Sequence, residues 1–168
     1  ARLLTFRSFT EENEDMKIAV EVPEIETIEQ DTGGLADSIN QEIYRLCLEY
    51  AEGAKKRAVE YREAFLATGG TKEEWAAHNI EIWVWYELKS QTADRISFVV
   101  QGTENWSSAY NEGKYYNLDL KNGKRLSLKD ILGEDYKKIA DDAVRSQIPE
   151  KERETGVKFW KAEEGGFE

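Results

Sequence analysis

LADSINQEIYRLCLEYAEGAKKRAVEYREAFLA, residues 35–67, returns an apolar or small side chain every three or four positions: Leu35, Ile39, Ile43, Cys47, Tyr50, Ala54, Ala58, Tyr61 and Phe65. That period places one apolar stripe along an α-helix. At about 1.5 Å per residue the helix is roughly 50 Å long, and Gly69 and Gly70 supply the left-handed cap that ends it. A stripe of that length needs a sheet to lie across. A coiled coil would use repeated Leu and Ile at the seam, whereas this stripe carries Ala, Tyr and Cys.

Both flanks read as strands. Upstream, RLLTFRSF (2–9) and MKIAVEVPEI (16–25) bracket an acidic turn and form a β-hairpin. In the second strand Ile18, Val20 and Val22 alternate with Lys17, Ala19 and Glu21, and Pro23 is expected to end it. Downstream, IEIWVWYEL (80–88) sends Ile80, Ile82, Val84, Tyr86 and Leu88 to one face and Trp83 and Trp85 to the other. RISFVVQG (95–102) follows across the polar SQTAD turn as an antiparallel partner. YYNLDLKNGKRLSL (115–128) then folds about Asn122-Gly123, a strong hairpin signal.

Ser127 and Asp130 mark a helix start that stops at Gly133. A second helix is expected over 135–148, with Pro149 opening a further short turn, and VKFW (157–160) reads as the start of another strand. The fold class that follows is α+β: an antiparallel sheet with one long helix packed across it plus shorter C-terminal helices.

The 168 residues, 40% of them hydrophobic, are expected to form a single domain over 1–168. Asp and Glu number 34 against 23 Lys and Arg, a formal net charge of -11. Such a field repels phosphate backbones, so no nucleic-acid partner is expected, and it favours encounter with basic partners. It also serves plain solubility. Cys47 is the only cysteine and falls on the helical stripe, where a thiol packs as a small hydrophobe.

The residues carry no HExxH, CxxC, GxSxG or phosphate-loop pattern, so no enzyme activity, cofactor or metal is expected. His78 is the only histidine. The segment of most interest for binding is GTENWSSAYNEG (102–113), where aromatic side chains stand among small polar ones. Thr103, Glu104, Asn105, Trp106, Ser107, Ser108 and Tyr110 are the candidate ligand contacts, because Trp and Tyr anchor interfaces with large area at low entropic cost. The alternative is that Trp106 and Tyr110 fold back over the core. For Trp83 and Trp85 the long helix favours burial of one sheet face and partial coverage of theirs.

The run YYNLDLKNGKRLSLKDILGEDYKKIA (115–140) carries an N-x-D-x-x-x-G-K-x-x-x-L-x-D hairpin that leads into a helix. With MKIAVEVPEI (16–25) followed by LADSINQEI (35–43), it resembles the extracellular part of RsiV-type anti-sigma factors and the non-catalytic region of peptidoglycan deacetylases of the PdaC type. The resemblance implies a bacterial, extracytoplasmic sensor on a membrane-anchored parent, whose cytoplasmic segment holds a sigma factor. It further implies lysozyme as the ligand, whose binding triggers proteolysis of the sensor and release of the sigma factor. Lysozymes are basic, so the charge of -11 agrees with that expectation. It also implies that the family domain continues past Glu168. GTENWSSAY departs from the family pattern, which there carries a Gly-Gly-Ala-His-Gly-like stretch. The alternative function is a cell-wall glycan-binding accessory domain, in which Trp83, Trp85, Trp106 and Tyr110 stack on sugars.

Overall fold

The structure, a computed structural model, describes residues 3–26, 32–106 and 110–159. The chain divides into two compact units, Ala1–Arg125 and Leu126–Glu168.

The first unit is a six-stranded sheet in sequence order: β1 (Leu4–Glu12), β2 (Lys17–Ile25), β3 (Glu81–Gln91), β4 (Arg95–Glu104), β5 (Tyr110–Asp119) and β6 (Lys124–Arg125). Helix α1 (Leu35–Ala67) packs across β2, β3 and β4, as the apolar stripe requires. Ile39, Ile43, Cys47, Ala51, Ala54 and Ala58 are buried against Ile18, Val20, Val22, Ile82, Val84, Phe98 and Val100. Each fully buried Ile or Val contributes about 1.5–3 kcal/mol. Alanines on the C-terminal half of the stripe let the helix lie close. Tyr50 lies against Gly102 of β4, where a Cβ would stand 2.3 Å from the tyrosine ring.

The neighbouring strands are antiparallel with one exception. Chain that leaves β2 crosses through α1 and returns as β3 in the same direction, so β2 and β3 pair parallel over Lys17–Val20 and Glu81–Val84. The crossover satisfies the rule that parallel neighbours need a long connection. The expected antiparallel sheet with one long helix across it is borne out, with this parallel pair as its one departure. Pro23 does not end β2, which runs on to Ile25. The parallel ladder has stopped by then, so Pro23 sits where one side of β2 has no partner strand and a missing N–H costs least. Asn40 of α1 docks on the strand's last residue, accepting from the Ile25 N–H at 2.8 Å and donating to its carbonyl at 2.9 Å.

A short helix, α2 (Lys72–Ala76), was not anticipated. It starts with a capping box in which Thr71 accepts from the Glu74 N–H while the Glu74 carboxylate accepts from the Thr71 N–H, and it drives Trp75 into the core.

In the second unit, α3 (Leu128–Leu132) opens with the Ser127 and Asp130 capping box that the sequence marked. Helix α4 (Tyr136–Thr155) continues through Pro149 instead of ending before it, and terminates at Gly156 with φ 70°. It carries no buried residue among those described, so water can serve the carbonyl that the proline leaves without a donor. Val157–Phe159 form no strand; the Phe159 N–H donates to Glu152, and Trp160 lies outside the described residues. No described helix is long and apolar enough to cross a membrane.

Candidate functional site

The segment nominated for contact is shorter as a loop than its composition implied. β4 runs to Glu104 and β5 begins at Tyr110, paired with Glu104, so much of 102–113 is strand. Thr103 pairs with Trp83 in β3, and Glu104 is buried in an ion pair with the Arg57 guanidinium of α1. Neutralisation by Arg57 is what allows a carboxylate on the helix-facing side of a strand.

Asn105 closes the turn, accepting from the Glu81 N–H at 2.7 Å and donating to the Asn79 carbonyl at 2.9 Å. Trp106 turns inward and stacks on Tyr61 at 5.7 Å. Ser107 and Ser108 lie outside the described residues, as does the side chain of Tyr110. The structure therefore gives Glu104, Asn105 and Trp106 intramolecular partners.

Trp106 belongs to an aromatic cluster that the sequence reading missed. Tyr61 and Phe65 of α1 meet Trp75 of α2 at 5.6 and 5.9 Å. His78 packs on Trp75 at 5.3 Å, and its Nδ1 lies 2.9 Å from the Glu74 carbonyl. The available signal was the capping pattern TKEEW after two glycines, with an aromatic on the inner side of one helical turn.

Glu42 is a second unforeseen centre. Its carboxylate accepts from Lys114 at 2.7 Å, Tyr116 at 3.1 Å and Arg125 at 2.6 Å, joining α1 to β5 and β6. Burial alone would raise this carboxyl, but the three donors outweigh it and hold the pKa at about 2. Burial, with the Glu42 charge beside it, pushes the Tyr116 phenol well above its usual range. Tyr116 in turn stacks on Phe98 at 5.1 Å.

The chemistry-bearing motif residues also bind the fold together. Asp119 accepts from the Asn122 backbone and side chain, each at 3.0 Å, and from Arg95; those bonds hold its carboxyl below the usual range. Gly123 takes φ 61° in the same turn. A cavity of about 180 Å³ between α1 and the sheet is bordered by Cys47, Tyr50, Val100, Gly102 and Lys114. Burial pushes the Cys47 thiol up to about 12, which makes it inert at neutral pH. Among the described residues no three His, Cys, Asp or Glu side chains converge as a metal site would need.

The sheet face opposite α1 is different in character. Ile80, Ile82 and Val84 are buried beneath the helix, while Trp83 is half-buried and Trp85 is 37% exposed on the other side. Around them Ala19, Glu21 and Thr103 border an open groove of about 450 Å³. Leu88, assigned to the inner face, is instead exposed, next to a register shift between Leu88 and Ser90.

The fold as a whole is similar to that of solved structures. A crystal structure of a duf3298 family member from Bacteroides fragilis matches with a TM-score of 0.52 and 18% identity, covering 89% of this chain and 69% of that one. The fold is of the DUF3298 type. A DUF3298 family protein from Pseudomonas aeruginosa matches equally well, with a TM-score of 0.52, 12% identity, and coverage of 91% and 69%. No family model and no curated protein matches the sequence. The DUF3298-type fold thus comes from backbone likeness, and the roles of individual side chains rest on the geometry given above.

Proposed function

We propose that the chain is the extracytoplasmic ligand-sensing domain of a membrane-anchored anti-sigma factor, and that it binds a basic protein of the lysozyme class without catalysing a reaction. The observation that carries this reading is the state of its cations. Arg7, Lys55, Arg57, Arg62, Arg95, Lys114 and Arg125 are each engaged by a carboxylate within the sheet unit. These pairs neutralise themselves, so the net charge of -11 is carried by carboxylates outside them, and that field steers a basic partner. Ligand binding would then expose the parent to proteolysis and free the sigma factor held by a cytoplasmic segment.

Calorimetric titration of the chain with a basic lysozyme at low and at physiological salt tests the proposal. Binding heat that weakens with salt, together with inhibition of lysozyme turnover, is the expected result. The absence of both heat and inhibition at low salt would refute it. A cell-wall glycan-binding module is the second reading, favoured by Trp85 exposed beside Trp83. Saturable binding of peptidoglycan fragments without binding of lysozyme would select it.

A further inference from the structure

The groove on the outer sheet face has an unusual lining. Trp83 and Trp85 are two residues apart on one strand and so share a face, and Ala19, paired with Trp83 from β2, is small enough to leave a depression between them and β2. Glu21 is the single ionisable residue on its border, and Thr103 provides a hydroxyl. Among the described residues no cation pairs with Glu21. Cations that register places on this face have other partners: Lys17 is the register partner of Glu81, Lys89 pairs with Glu87 at 2.6 Å, and Arg95 pairs with Asp119 at 3.3 Å.

A carboxylate without a counter-ion beside two indole faces matches one kind of guest. An arginine or lysine side chain lays its apolar stem and its cation against the rings while its N–H groups reach the carboxylate. An anion would be repelled. A sugar ring would find two aromatic faces but only Glu21 and Thr103 to receive its hydroxyls.

We infer that this groove is the contact surface for the basic protein, receiving one of its Arg or Lys side chains between Trp83, Trp85 and Glu21. The inference rests on the function proposed above and places its partner on the sheet face away from α1. The charge of the chain supplies long-range attraction, and Glu21 with the two indoles supplies the local fit.

The test uses the whole chain with its five tryptophan indoles labelled with nitrogen-15, titrated with lysozyme and separately with poly-L-lysine. The indole signals of Trp83 and Trp85 are expected to shift with both probes. Trp85→Ala is expected to weaken lysozyme binding about tenfold or more, and Glu21→Lys to do at least as much while circular dichroism and the urea midpoint confirm a folded chain. If lysozyme binds but both folded variants bind it as tightly as wild type, this surface is wrong while the proposed function stands. If lysozyme does not bind at all, the proposed function fails, and poly-L-lysine then judges the groove: unmoved Trp83 and Trp85 signals overturn it too. Shifts caused by an N-acetylglucosamine trimer and by neither basic probe would overturn the cationic guest in favour of glycan.

Discussion

Glu42→Gln removes one charge from a carboxylate that three donors share, and the effect can be sized from the geometry. The ordinary value of 4.5 falls to about 2 in the folded chain. At about 1.4 kcal/mol per pH unit that difference sets a ceiling of about 3 kcal/mol. Lys114 and Arg125 are each nearly half exposed, so solvent screening brings the expected loss at pH 7 to about 1–2 kcal/mol. The sign follows from a carboxyl depressed on folding: its contribution is complete above 4.5 and disappears as pH falls toward 2. Urea unfolding of wild type and Glu42→Gln at pH 7 and at pH 2.5 should therefore show a gap that narrows in acid. A gap of the same size at both pH values would refute the assignment of Glu42 as an anionic hub and leave only a packing defect.

Three other substitutions probe different contacts. Arg57→Ala strands the Glu104 carboxylate, 3% exposed, and should cost about 2–3 kcal/mol in urea unfolding. Pairing it with Glu104→Leu should recover part of that loss. Gly102→Ala sets a methyl against the Tyr50 ring and should cost about 1–3 kcal/mol, with relief in a Tyr50→Leu background if the clash is the cause. Trp106→Ala removes the stack on Tyr61 and should lower the thermal midpoint by an amount equivalent to about 2 kcal/mol. An unchanged midpoint would return Trp106 to the pool of candidate ligand contacts.

The sequence was most informative where one physical period governed a long segment. The stripe from Leu35 to Phe65 emerged as α1, and the alternation about Ile82 and Val84 gave the buried side of β3. Capping and turn chemistry were equally legible, since Ser127, Asp130, Asn122 and Gly123 act locally. What escaped depended on partners distant in sequence. Nothing near Glu104 announces Arg57, and nothing near Glu42 announces Lys114 and Arg125, so the buried charge at the first and the half-buried one at the second were unreadable. Polar composition made 102–113 look like a loop because the partners of its polar side chains lie elsewhere: Arg57 of α1 for Glu104, and the backbone of Asn79 and Glu81 for Asn105. The proline positions were misjudged because their surroundings are not written beside them: at Pro23 no partner strand faces the missing N–H, and at Pro149 water can serve the carbonyl left without a donor.

The parallel pair of β2 with β3 has a mechanical consequence. Its ladder covers Lys17–Val20, whereas β1 with β2 and β4 with β5 are registered along nearly their whole lengths. The β1–β2 hairpin is therefore joined to the rest of the sheet by a short seam, with α1 as a strap bound to the hairpin through Lys55–Glu11, Arg62–Asp15 and the Asn40 bonds to Ile25, and to β4 and β5 through Arg57–Glu104 and Glu42–Lys114. Opening should begin along that seam and release the hairpin as a unit. Amide exchange at Lys17–Val20 should accordingly outpace exchange across β3 and β4, and equal protection would mean that the strap makes the whole sheet one cooperative body. A tug applied to the N-terminal strands would then part Ala19 from Trp83 and widen the outer tryptophan groove, which straddles the same seam.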